Sequence, residues 1–315
     1  MAAPDSKRPG NAKSSRKRTM SNAQSEEMIA WIDGAIVPAR QARVPVLDHG
    51  FLFGDGVFEG IRVTTAGIFR FDDHMRRLEI AARTIGLEVD GGMERVRSIV
   101  RETTLAWGRR EGYLRLILSR GVGALGLDPA SCGTANVICI AAGMVRLPPE
   151  KAERGIDLIT SSLRRPAGDV LDPRVKSLNY LNNILAKREA NLRGADDALM
   201  LNAQGQVAEA SAANVFVLTG NCLDTPACSD GALEGLTRRT VLEIGSDLGF
   251  ETQERSLGRF DLFSADSVFY SGSRAGLVPI ASLDGSPIDQ SARPRLEEIQ
   301  ALFQKRLIEL SVSID

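Results

Sequence analysis

Histidine, lysine and cysteine are scarce in this 315-residue chain, at two, seven and four copies. With only His49 and His74, no multi-histidine metal centre is expected. The cysteines at 132, 139, 222 and 228 form no Cys-x-x-Cys pair, so neither a disulfide framework nor a zinc site is expected, and the chain is read as metal-free. The longest apolar run, Val137–Val145, is nine residues, far short of the roughly 18 that a membrane helix needs. A net charge of −1 argues against a nucleic-acid partner. What is present is ordinary for a folded soluble protein: 43% apolar and 25% charged residues. The length allows one large domain or two of moderate size. A cytoplasmic enzyme acting on small molecules fits these bounds.

The charge is unevenly distributed. Residues 1–24 carry six basic groups and one acidic group, leaving 33 basic against 39 acidic in the remainder. The stretch is rich in Ser, Ala and Asn with no apolar core, so residues 1–25 are expected to be a disordered basic tail. It lacks the apolar segment of a secretory signal. Its Arg/Ser-rich, acid-poor character is similar to a transit peptide, but no clear amphipathic stripe runs through it, and it reads as a solvated extension.

Beyond the tail, Asp33-Gly34 between Met28–Ile32 and Ala35–Val37 predicts a hairpin. Val57–Val63 reads as a strand turned by Thr65-Ala66-Gly67, followed by helices over about 73–85 and 92–107. Tyr113–Ser119 alternates, with Leu114, Leu116 and Leu118 on one face and Tyr113, Arg115, Ile117 and Ser119 on the other. With a buried strand at Asn136–Ala142, residues 26–147 form a small α+β domain with a mainly antiparallel sheet. Residues 148–155 are expected to be a linker. Residues 156–315 form a larger α/β domain, with strands near 156–161, 198–202, 214–218 and 267–271 and helices near 179–193, 236–248 and 294–310. A ligand site between two such lobes is the default expectation.

Arginine outnumbers lysine 32 to 7, and three lysines fall in the tail. A nucleophilic lysine must therefore be Lys151, Lys176, Lys187 or Lys305. Lys151 sits in the linker and Lys305 in a charged C-terminal helix. Lys187 lies off the apolar stripe Leu181/Ile184/Leu185/Leu192, the expected inward face of its helix. Lys176 ends the extended stretch Asp172–Val175 just before a helix, a junction that can face a cleft where desolvation makes an amine reactive. Taken alone, a junction lysine is more often simply exposed.

Its surroundings change that balance. The segment Lys176-Ser177-Leu178-Asn179-Tyr180-Leu181-Asn182-Asn183 resembles the cofactor-lysine segment of the fold-type IV pyridoxal-phosphate enzymes, the class IV aminotransferase family. A second match runs from Glu209-Ala-Ser-Ala-Ala-Asn214-Val-Phe216 through Leu223-Asp-Thr225 to Leu233-Glu-Gly235-Leu236-Thr237-Arg238. A third is Phe51-Leu-Phe53-Gly54-Asp55-Gly56-Val-Phe-Glu59-Gly60-Ile-Arg62. The resemblance extends from about Ile29 to Gly285 and is greatest to the branched-chain amino acid aminotransferases.

The resemblance implies a two-lobed D-amino-acid-aminotransferase-like fold and pyridoxal 5′-phosphate as cofactor. It gives Lys176 the Schiff base and the proton transfers, Glu209 the pyridine nitrogen, and Tyr180 the phenolic oxygen. The phosphate goes to Arg62, to the helix start at Gly235, Leu236 and Thr237, and to Gly272 and Ser273. The substrate pocket comprises Phe53, Tyr113, Arg115, Ser273 and Arg274. Two positions depart from the branched-chain pattern: Phe53 stands where tyrosine is usual, and Gly272-Ser273-Arg274-Ala275-Gly276 replaces Gly-Thr-Ala-Ala-Glu. The implied activity moves an amino group between a branched-chain or other aliphatic amino acid and 2-oxoglutarate, in two ping-pong half-reactions. Aminodeoxychorismate lyase, D-amino-acid or (R)-amine transamination, and a non-catalytic cofactor-binding protein are the alternatives. A homodimer or higher homo-oligomer is implied, with the pocket completed by a neighbouring subunit's loop.

Overall fold

A computed structural model describes residues 28–145 and 147–314; the basic tail expected over residues 1–25 lies outside them. β1 (Ile29–Ile32) and β2 (Ala35–Pro38) form the hairpin expected from Asp-Gly. Asp33 and Gly34 take φ of 50° and 78°, the left-handed pair that a two-residue turn requires. β3 (Gly56–Thr64), β4 (Gly67–Phe69), β5 (Gly112–Ser119) and β6 (Asn136–Ala142) follow. Helices Phe71–Thr84 and Gly92–Trp107 lie between β4 and β5. The inward face of β5 is Leu114, Leu116 and Leu118, each fully buried with Val57, Ile61, Met75, Leu78, Ile99 and Val100. Each such side chain contributes about 1.5–3 kcal/mol of burial. The opposite face of β5, carrying Tyr113 and Arg115, is only half-buried.

The segment expected to link two lobes is a short helix, Pro149–Arg154. Proline at its first position is preset for a helix, Glu150 and Arg154 complement its dipole, and Gly155 ends it. The remaining strands are β7 (Ile156–Arg164), β8 (Asp197–Leu201), β9 (Val207–Ala210), β10 (Asn214–Thr219), β11 (Cys222–Pro226), β12 (Glu251–Arg255), β13 (Ser267–Gly272), β14 (Gly276–Leu283), β15 (Ser286–Pro287) and β16 (Ser311–Val312). β7 to β15 form a nine-stranded mixed sheet of order β12-β11-β10-β13-β14-β7-β8-β9, with β15 on β14. Helices Leu236–Asp247 and Arg293–Glu309 pack on one face through Val241, Ile244, Leu296, Ile299 and Phe303.

β16 returns to the first sheet, antiparallel to β4, giving the order β16-β4-β3-β5-β6-β1-β2. Phe69 of β4 meets Phe303 edge-on at 6.4 Å, so the C-terminal helix ties the two sheets together.

The apolar stripe expected to face inward does not. In helix Leu181–Leu192 the buried residues are Asn183, Ala186 and Ala190, whereas Leu181, Ile184, Leu185 and Leu192 are exposed. Small alanines let the helix approach β7 and β8 closely, and that contact overrides the leucine stripe. Among the described residues, no helix is long and apolar enough to cross a membrane.

Candidate active site

The segment holding Lys176 belongs to the second half of the chain but is hydrogen-bonded to the first sheet. Phe58 N–H donates to the Lys176 carbonyl at 2.9 Å, and Leu178 N–H to the Gly56 carbonyl at 2.9 Å. This clamp holds Lys176 at the seam between the sheets, on the wall of a cavity of about 240 Å³. Its Nζ donates to the Tyr180 hydroxyl at 3.1 Å and lies 4.6 Å from the centre of the Phe58 ring. Tyr180 immediately precedes helix Leu181–Leu192 and packs edge-on against Phe58 at 5.0 Å.

Glu209, on β9, lines the same cavity and is buried. Its carboxylate accepts from the Leu233 N–H at 3.1 Å and from Asn214 Nδ2 at 3.3 Å, and pairs with Arg165 at 3.1 Å. Burial nonetheless pushes the Glu209 carboxyl above its usual range, outweighing the pull of Arg165 and the Leu233 N–H.

The cavity also has an anion-binding end. Gly235 precedes helix Leu236–Asp247, whose first N–H groups and dipole point into the cavity lined by Gly235, Leu236 and Thr237. Thr237 Oγ1 and Ser271 Oγ are buried there with no hydrogen-bond partner among the described residues. Arg77, from helix Phe71–Thr84, completes this end. Its Nε and Nη2 donate to Glu59 at 2.7 Å each, and Nη1 to the Glu234 carbonyl at 2.6 Å. A guanidinium has five donors, so two remain for a ligand. Burial would raise the Glu59 carboxyl, yet Arg77 and then His74 hold it well below the usual carboxylate range. Because Arg77 already neutralises Glu59, burial dominates at His74 and depresses its pKa. The neutral ring donates from Nδ1 to Glu59 at 2.8 Å.

Of the residues singled out from sequence, Lys176, Tyr180, Glu209, Gly235, Leu236, Thr237, Gly272, Ser273, Tyr113, Arg115 and Arg274 all line this cavity. Gly60 lines it as well, and a Cβ there would overlap the Tyr113 hydroxyl. Arg62 does not line it: it opens on a neighbouring cavity of about 430 Å³ with Glu111 and Gln300. It shares a face of β3 with Gly60, but stands two residues, about 7 Å, further along the strand. Phe53 also stands elsewhere, on helix His49–Phe53 against His49 at 4.9 Å. Arg77, Arg165 and Asn214 were not anticipated. Arg77 lies in Phe71-Asp-Asp-His-Met-Arg-Arg-Leu78, which reads as a charged helix face.

Pyridoxal 5′-phosphate fits this donor set. An amine for its aldehyde, a buried carboxylate still short of positive charge, and two orphaned hydroxyls beside a helix start and a half-used guanidinium surround one cavity. A Cβ at Gly235 would fill the cradle by striking the Asn214 amide oxygen.

Such a frame, with a lysine clamped between two sheets opposite a buried glutamate, defines a pyridoxal-phosphate transaminase of fold-type IV. The class IV amino-transferase family matches residues 56–283, and the chain belongs to it. A Methanocaldococcus jannaschii protein named as a candidate branched-chain-amino-acid aminotransferase is 40% identical over 83% of this chain and 90% of its own length. The branched-chain-amino-acid aminotransferase of Escherichia coli K12 is 31% identical over 87% of this chain and 91% of its own. The branched-chain enzyme of Thermobaculum terrenum, solved in its pyridoxal-phosphate holo form, superposes with a TM-score of 0.79 at 29% identity, covering 91% of this chain and 96% of that one.

Proposed function

We propose that this aminotransferase moves the amino group of a branched-chain or similar aliphatic amino acid to 2-oxoglutarate. The observation that carries the reading is the single cavity shared by Lys176, Glu209 and the anion-binding end. When bound, pyridoxal 5′-phosphate supplies an electron sink for the electrons left at the substrate's Cα. Lys176 would hold the cofactor's aldehyde, and its Nζ would take the proton at the substrate's Cα and later return one. Glu209 keeps the ring nitrogen protonated, with Arg165 and Asn214 fixing the carboxylate. Tyr180 holds the phenolic oxygen, and its bond to Nζ orients the amine. Arg77, the Leu236 and Thr237 amides, Thr237 Oγ1, Ser271 and the Gly272-Ser273 backbone hold the phosphate. Tyr113 and Arg115 face the substrate.

The partner is a second copy of this chain. Val46, Phe51, Leu125 and Leu127 are 70–79% exposed, on segments joined by the hydrogen bonds His49 N–H to Gly121 and Gly123 N–H to Leu47. Apolar side chains gathered in this way favour a protein interface over water, and Phe53 sits on the same helix as Phe51.

The decisive experiment assays purified holoenzyme with 2-oxoglutarate and L-leucine or D-alanine, and separately with aminodeoxychorismate. Preferential formation of glutamate from L-leucine supports the reading. Turnover confined to D-alanine, or pyruvate release from aminodeoxychorismate, overturns it.

A further inference from the structure

Arg77 lines two cavities. On one side is the Lys176 cavity of about 240 Å³, and on the other a larger one of about 660 Å³. The inner cavity holds three further cations, Lys176, Arg115 and Arg274, against one acid, Glu209. The outer one sets Asp73, Asp172 and Glu234 against Arg76, Arg174 and Arg239. Electrostatics between the two favours the outer side for a guanidinium. What holds Arg77 inward is Glu59, fully buried on β3, whose two oxygens accept from Nε and Nη2 at 2.7 Å each. Parallel bonds of this kind fix the plane of the fork. One further side chain among the described residues donates to Glu59: His74, from Nδ1 to Oε2 at 2.8 Å. It stands three residues before Arg77 on helix Phe71–Thr84, a spacing that brings both to one face.

His74 is itself fully buried, and its Nε2 has no hydrogen-bond partner among the described residues. A ring with half of its polar atoms unsatisfied is a poorer core residue than an apolar side chain of the same size. What it adds that an apolar side chain cannot is the bond to Glu59. We infer that His74 is a positioning residue for the cofactor's phosphate, turning the Arg77 fork into the Lys176 cavity through Glu59 without touching the cofactor. The inference rests on the proposed contact between Arg77 and the phosphate. With His74 and Arg77 both donating to Oε2, the Glu59 carboxylate is fixed in rotation, and the donors of Arg77 that it does not use stay at the anion-binding end.

The experiment measures dissociation constants of pyridoxal 5′-phosphate and of pyridoxal, which lacks the phosphate, for the full-length apo-protein, read from cofactor absorbance. The preference for the phosphorylated form isolates the phosphate end, and a residue that serves only the fold leaves it unchanged. His74→Leu removes the donor and keeps the bulk. It is expected to lower this preference about fivefold, the worth of one neutral hydrogen bond. His74→Asn keeps an N–H near the position of Nδ1 and is expected to recover most of it. A preference within about twofold of wild type in His74→Leu overturns the inference, including the case where both ligands weaken together. Failure of both variants to fold overturns it as well, by assigning His74 to the core. Arg77→Lys keeps a counter-charge for Glu59 but no fork, and is expected to lower the preference more than His74→Leu does. An unchanged preference in Arg77→Lys would sink the phosphate contact of the proposed function. A lowered one beside an unchanged His74→Leu would sink the role of His74 alone.

Discussion

Glu59 and Glu209 are both buried carboxylates facing an arginine, and their environments drive them in opposite directions. Glu59 receives two short bonds from Arg77 and a third from His74, and its carboxyl is pulled far down despite burial. Glu209 receives one arginine contact and one backbone N–H at 3.1 Å each, with an amide at 3.3 Å, and burial wins. The first is a saturated ion pair that fixes Arg77 in place. The second is under-compensated, and a protonated ring nitrogen placed against it restores the missing charge. In this protein the carboxylate that burial still holds above its usual range is the one that lines the Lys176 cavity.

The largest effect expected from any single change lies between these two groups. Lys176→Ala removes both the cofactor's tether and the proton-transfer amine, so transamination should fall by at least about 10⁴-fold. The holoenzyme's visible absorbance should disappear with it. Retained turnover would mean that neither carboxylate flanks a reaction centre. The comparison itself is broken by paired substitutions. Glu59→Gln leaves a buried guanidinium without its counter-charge and should destabilise the fold by about 3–5 kcal/mol, read by urea unfolding. Glu209→Gln also removes the counter-charge of a buried guanidinium, but Arg165 still donates to Gly231 and Asn183, and burial already holds Glu209 above its usual range, so less ion-pair stability is lost. It should lose about 1.5–3 kcal/mol of charge-assisted bonding to the bound ring, about 10–100-fold in kcat, with much less effect on folding. Equal effects of the two substitutions on stability would erase the distinction.

Titration sharpens it further. Below the ordinary glutamate value of 4.5 the unfolded chain binds protons that native Glu59 refuses, so this contribution to stability is lost as the solution is acidified. His74 adds loss in the same direction, beginning near its ordinary value of 6.5. Glu209 has the opposite sign in the cofactor-free protein, where stability from this group falls as pH rises through 4.5 towards its raised folded value. Melting temperatures of the apo-protein from pH 4 to 7 should therefore rise less steeply with pH than those of apo Glu209→Gln.

What could be read from the chain follows the range of the interactions. Strand β5 was legible because its alternation is local, and Lys176, Tyr180, Glu209 and Thr237 because they sit in ordered segments whose residue types resemble a known family. Arg77 was not, since its partner Glu59 is 18 residues away on a different element, and nothing within one helical turn distinguishes it from Arg76. Arg62, expected at the phosphate, lines the neighbouring cavity instead, because period-two alternation gives the face of a strand but not the distance along it. The exposed stripe of helix Leu181–Leu192 escaped for a related reason: periodicity identifies an apolar face without saying whether it packs inward. The polar edge strand β12, Glu-Thr-Gln-Glu-Arg, carries no alternation at all.

The smallest expected effect separates holding a cofactor from holding the fold. Thr237 Oγ1 is buried without a partner among the described residues, so no protein group offsets the desolvation of its hydroxyl. Thr237→Val keeps the side chain's shape and removes that penalty. The apo-protein should melt at the same temperature as wild type or slightly higher, while cofactor affinity falls by about fivefold, near 1 kcal/mol for one neutral hydrogen bond. Apo and holo scans of the same variant read both quantities. A variant that lost stability in the apo form would mean that Thr237 is a structural cap whose hydroxyl serves helix Leu236–Asp247. Opposite signs in the two forms would place its role with the phosphate.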